Sequence, residues 1–132
     1  MTFDFVIHGA PRTKKNHGRR KYSFRLRRTL NVPSEAYEKW EGEVGLQVLK
    51  IRRRAEMLGV ELPIEQRVNC RALIYRDADR GDAVGYYQAI ADGLQKHGIV
   101  FDDVQIVSWD GSRLMKDSAR PRVEIVLEGV GE

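Results

Sequence analysis

Three carboxylates stand within six residues in Arg76-Asp77-Ala78-Asp79-Arg80-Gly81-Asp82, and two more adjoin in Phe101-Asp102-Asp103. Like charges at this spacing repel, and each disfavours ionisation of its neighbours. A divalent cation relieves that repulsion, and carboxylates converging from two element ends suit magnesium, whose remaining ligands are waters and phosphate oxygens. Asp is equally a turn and helix N-cap residue, so spacing alone leaves both readings open. An EF-hand is excluded. Counted from Asp77, Gly81 takes loop position five, Asp82 displaces the glycine of position six, and Gln88 replaces the glutamate of position twelve.

Charge is divided along the chain. Residues 1–34 carry nine Lys/Arg against one acid, Asp4, whereas residues 76–117 carry eight Asp and five Lys/Arg. A basic arm at about residues 12–28, with Lys14, Lys15, Arg19, Arg20, Lys21, Arg25, Arg27 and Arg28, is suited to grip a polyanion. Tyr22, Phe24 and Leu26 alternate among these bases, as in a hairpin or a mobile loop, and the two aromatics suit stacking on unpaired bases.

The elements that must position these groups are legible in the periodicity. Phe3, Phe5 and Ile7 alternate with polar residues, which predicts a half-buried strand. Pro33-Ser34-Glu35 predicts a helix start with Ser34 as N-cap, followed by the stripe Tyr37, Trp40, Val44, Val48, Ile51 and Ala55, with Gly59 as its stop. Arg52–Arg54 are expected near its C-terminus, where cations suit the dipole. Val68, Cys70, Ala72 and Ile74 predict a strand running into the acidic loop. Val84, Tyr87, Ala91 and Leu94 predict the apolar stripe of a second helix, from Ala83 to His97, with Asp82 at its start. Val104–Trp109 and Arg122–Leu127 predict two more strands. The fold class is therefore α+β: a small mixed β-sheet carrying two main α-helices.

The 132 residues suit one domain, 1–132, able to bury a core without staples. The lone Cys70 excludes an intrachain disulfide and a cysteine-rich zinc site, and a reducing, cytoplasmic setting follows as the expectation. No apolar run approaches the ~20 residues of a membrane span, and the start, carrying Asp4, does not read as a signal peptide. No membrane partner is expected.

The segment Gly81–Ile106, "GDAVGYYQAIADGLQKHGIVFDDVQI", resembles the signature of RusA-type Holliday-junction resolvases: Asp-x-Asp-Asn, then Lys, then Asp-x-Leu, a turn, and Asp-Asp. The flanks "IHGAPRTKKN", "PSEAYEKWEGEV" and "RPRVEIVL" are similar to the family's opening strand, first helix and closing strand. The resemblance implies a homodimeric, magnesium-dependent endonuclease that resolves four-way junctions and other branched DNA, with Mn²⁺ able to serve the same ligands. It assigns Asp82 and Asp103 to metal and catalysis. Val84 stands where the family has its second Asp, Gly85 where it has Asn, and Gln88 where it has Lys. Asp79 or Asp77, just upstream, is the expected substitute carboxylate, Asp102 completes the shell, and Arg80 or Lys116 is the expected stand-in cation. Asp92, on the second helix, is expected to support the site. A catalytically impaired junction-binding protein of the same fold is the alternative.

Overall fold

The computed structural model describes residues 1–14, 19–32 and 35–131, with backbone alone at 19–21 and 30–32. Strand β1 (Thr2–His8) is followed by β2 (Arg19–Ser23) and β3 (Arg28–Val32), which pair only with each other as an antiparallel hairpin. Helix α1 (Glu35–Leu58) leads to β4 (Val68–Arg76), and helix α2 (Ala83–Lys96) follows the acidic loop. A 3₁₀ turn (Asp103–Gln105) then precedes β5 (Ile106–Ser108), β6 (Arg113–Lys116) and β7 (Arg122–Gly129).

The main sheet runs β1-β7-β4, and β5 and β6 lie end to end along the far edge of β4. β7 is antiparallel to both neighbours, whereas β5 and β6 are parallel to β4, so the sheet is mixed. The expected α+β class with two main helices is the observed one.

Alternation buries one face of each long strand: Phe3, Phe5 and Ile7; Val68, Cys70, Ala72 and Ile74; Val123, Ile125 and Leu127. The α1 stripe Tyr37, Trp40, Val44, Ile51 and Ala55 closes over them, while Val48 is only partly buried. Side chains of α1 also reach the outer edge of β1. Gln47 accepts from His8 N–H at 2.8 Å and donates to His8 C=O at 2.8 Å, and Arg54 donates to Asp4 C=O at 2.6 Å.

Three expectations need correction. The buried face of α2 is Gly85, Tyr86, Ala89, Ile90, Gly93 and Leu94, so of the predicted stripe only Leu94 enters the core. The strand expected at Val104–Trp109 is shortened to Ile106–Ser108, because Asp102 and Gln105 close a capping box that winds the preceding residues into the 3₁₀ turn. Strand β6 carries no apolar alternation that would announce it. Arg52–Arg54 do not serve the α1 dipole: the helix continues to Leu58, and its last turn holds no base. The predicted N-cap Ser34 lies outside the described residues.

Candidate functional site

The acidic loop between β4 and α2 is held by arginines, one of them from the segment after β1. Arg12 donates to both carboxylate oxygens of Asp77, at 2.7 and 2.8 Å. That bidentate pairing, more than any other influence, pushes the Asp77 carboxyl below its ordinary pKa and the Arg12 guanidinium above its own. Arg76 donates to the carbonyls of Arg80 and Gly81 at 3.3 and 3.4 Å and touches Asp79 at 3.4 Å. The Tyr86 hydroxyl donates to Arg80 C=O at 2.6 Å. Asp79 itself is 71% exposed.

Asp82 is the N-cap of α2. Its φ of −104° and ψ of 164° are extended, and its carboxylate accepts from Gly85 N–H at 2.8 Å. Position 85 has no room for a side chain, since an added Cβ would stand 2.6 Å from Asp82 Oδ1 and 3.1 Å from Thr13 Cγ2. This close approach seats Thr13 against the first turn of α2, and the next residue, Lys14, forms an ion pair with Asp92 farther along the helix.

The second acidic segment arrives from the other end of α2. Ile64 accepts from Phe101 N–H at 3.0 Å, which fixes the chain ahead of Asp102. Asp102 Oδ1 then accepts from Val104 N–H at 3.0 Å, and Gln105 Oε1 accepts from Asp102 N–H at 2.7 Å. The Asp103 N–H donates to Gln95 Oε1 at 2.9 Å, docking this residue on α2. Desolvation raises the Asp103 carboxyl pKa, and the neighbouring Asp102 and Asp92 carboxylates raise it further.

Two adjoining cavities meet on Lys14, Asp92 and Asp103. The larger, about 590 Å³, continues past Val84, Tyr87, Gln88 and Ala91 of α2 to Ile106 and Trp109. The smaller, about 480 Å³, is bordered by Tyr37, Glu41, Gln95, Lys96 and Asp102. The helix stripe expected to be core, Val84, Tyr87 and Ala91, is thus the floor of the groove.

The structure brings Asp92, Asp102, Asp103, Gln88 and Lys14 to one place. It does not bring Asp77, Asp79 or Asp82 there: one is clamped by Arg12, one faces solvent beside Arg76, and one caps its helix. Neither Arg80 nor Lys116 lines the groove; Lys14 lines both cavities, and Lys96 borders the smaller one. Among the described residues, no three His, Cys, Asp or Glu side chains form a group able to enclose a metal ion. The Asp92 and Asp103 carboxylates match what magnesium asks of a protein when phosphate and water complete its octahedron.

The basic arm forms a hairpin apart from the main sheet. Tyr22 and Phe24 pack edge to face with centroids 5.0 Å apart, and Phe24 is 86% exposed. Arg25, Arg27 and Arg28 are exposed around its turn, where Arg27 holds a left-handed φ of 51°. The side chains of Arg19, Arg20 and Lys21, and all of Lys15, lie outside the described residues. The aromatic wall made by Tyr87 and Trp109, and the pairing of Lys14 with Asp92, escaped the sequence reading. Trp109 beside the Asp110-Gly111 turn was the available signal.

No protein-family model matches this chain, and no curated protein does. Among the described residues, no helix is long and apolar enough to cross a membrane.

Proposed function

We propose that the protein is a RusA-type endonuclease that binds branched DNA, four-way junctions above all, and hydrolyses a phosphodiester with magnesium or manganese. One observation carries this reading. Positions 84, 88, 92 and 103, four of those the family signature uses, line a single groove together with Lys14. Asp103 and Asp92 would hold the cation and Asp102 would orient Asp103. A bound divalent ion supplies charge neutralisation at the phosphate and an acidified water.

The chain's own groups do the rest. Lys14, which lines the groove beside Asp92, would offer its ammonium to a phosphate oxygen. Gln88 donates amide hydrogen bonds to phosphate or water but adds no charge where the family has Lys. The hairpin, with Arg25, Arg27 and Arg28 exposed, neutralises flanking phosphates, and the edge-to-face Tyr22–Phe24 pair offers a stacking face. Two symmetric cuts in a junction call for two sites, hence a homodimer. The outer face of α1 is the candidate contact, because Leu46, Leu49 and Met57 are 86%, 59% and 82% exposed there. Buried, unpaired Cys70 suits a reducing, cytoplasmic compartment.

A second reading is favoured by Val84, whose side chain takes the place of the second family carboxylate while Asp77, Asp79 and Asp82 are engaged elsewhere. It is a junction-binding protein that cuts poorly. A synthetic four-way junction incubated with and without magnesium separates the two. Nicking that needs magnesium and vanishes in Asp103→Asn supports the nuclease. Tight, branch-selective binding without nicking supports the second reading, and absence of DNA binding rejects both.

A further inference from the structure

We infer that the Tyr87–Trp109 end of the groove is a base pocket, which receives one nucleobase unstacked from the DNA strand whose phosphate lies at Asp103. Tyr87 of α2 and Trp109, just after β5, stack with ring centroids 4.5 Å apart and planes 6° from parallel. Both rings are partly exposed and both line the larger cavity. The pair is held from two sides, by the helix and by the turn in which Trp109 C=O accepts from Ser112 N–H at 3.1 Å. A pre-ordered flat aromatic wall stacks a further planar ring without ordering new side chains.

The rest of the cavity matches the same occupant. Val84, Ala91 and Ile106 are apolar, as the faces and edges of an unstacked base require, and Gln88 offers an amide donor and acceptor to a base edge. The pocket also opens directly onto Lys14, Asp92 and Asp103. A nucleotide with its phosphate at the acidic end would direct its base toward the indole. Extruding a base costs least where pairing is already broken, as at a branch point. This gives Val84 a role as pocket wall. It also makes the groove, rather than the hairpin, the place where cleavage position is chosen. The inference rests on the nucleic-acid reading of the groove, and its test keeps the two apart.

Wild-type protein would be titrated with a labelled four-way junction, with junctions carrying one abasic nucleotide at each position flanking the branch point, and with linear duplex. DNA anisotropy reads binding, and tryptophan emission reads the pocket. Trp40 is 2% exposed in the core and provides a constant background, so a change reports Trp109. The expected result is quenching by the intact junction. One abasic position should lose the quenching and weaken binding about tenfold, the scale of one base–aromatic stack. In Trp109→Phe the emission change should disappear, and junction affinity should fall by no more than the same tenfold, because the phenyl ring keeps part of the stack. Junction binding with unchanged wild-type emission, or equal affinity for every abasic junction, would overturn the base pocket and leave DNA binding standing. Quenching that follows protein concentration without DNA would assign the wall to contact between copies and overturn it too. Absence of binding to any of these DNAs would reject the nucleic-acid reading and the pocket with it.

Discussion

Arg12 holds Asp77 through two hydrogen bonds across the mouth of the acidic loop, one partner from the segment after β1 and the other from the end of β4. The pair commits to architecture a carboxylate that sequence reasoning offered to a metal. Both side chains are mostly buried, at 16% and 26% exposure, so truncating one leaves the other poorly solvated. Arg12→Ala should lower stability by about 1–3 kcal/mol in denaturant melts. Because the folded-state pKa of Asp77 lies below its unfolded value, this stabilisation is complete above about pH 4 and is lost as pH falls through the folded value. Wild type and Arg12→Ala should therefore converge in strong acid. A constant difference down to about pH 2, well below the ordinary carboxylate range, would refute the assignment.

Asp103 has the opposite sign. Its folded pKa is raised, so its ionised form opposes folding, and the contribution worsens as pH rises through the folded value. Asp103→Asn should melt at or above the wild-type temperature at neutral pH. Magnesium should raise the wild-type melting temperature and leave that of the variant unchanged. A marked loss of stability in the variant would make Asp103 a structural residue.

Asp82 can be divided into its two candidate roles, because Asn caps a helix as well as Asp does. Asp82→Ala should cost about 1 kcal/mol in thermal or urea melts, while Asp82→Asn should cost little. If the cap is its whole role, Asp82→Asn keeps any magnesium-dependent nicking, and Asp79→Asn keeps it as well. Loss of nicking in either stable Asn variant would return that carboxylate to the site.

The hairpin should set salt dependence. Replacing Arg25 and Arg28 with Ala should flatten the plot of log affinity against log salt by about 0.9 for each phosphate no longer neutralised. Fluorescence anisotropy on one duplex and one junction, across a salt series, measures this. An unchanged slope would place DNA on another face.

Copy–copy association through α1 is tested by Leu46→Glu and Met57→Glu. Both side chains lie outside the core, so melting should hardly change, while light scattering should show the dimer reduced to single chains. A wild-type protein that scatters as a monomer would reject this interface.

The core was readable wherever large side chains mark the buried face. Phe3, Phe5 and Ile7 in β1, and Tyr37, Trp40 and Val44 in α1, sit where their periodicity puts them. Helix α2 inverts that logic. Its buried face includes Gly85, Ala89 and Gly93, which carry little hydropathy, while Val84, Tyr87 and Ala91 face the groove. At Gly85 the absent side chain allows the close approach of Thr13, and the apolar groove then mimics a core stripe. The acids were misread in the same way. Nothing in the spacing of Asp77, Asp79 and Asp82 reveals that Arg12, 65 positions from Asp77, will claim one of them. The pairing of Lys14 with Asp92 is equally non-local and belongs to the tertiary fold.

The side chains of Gln47 and Arg54 on β1 have a consequence for assembly. An open strand edge is a template on which another chain can add a strand, and proteins blunt such edges with covering side chains and charge. Here a helix places an amide and a guanidinium on the outward backbone groups of His8 and Asp4, so the sheet is discouraged from extending at its β1 edge. At this edge, addition of a strand from a second copy would first have to displace Gln47 and Arg54.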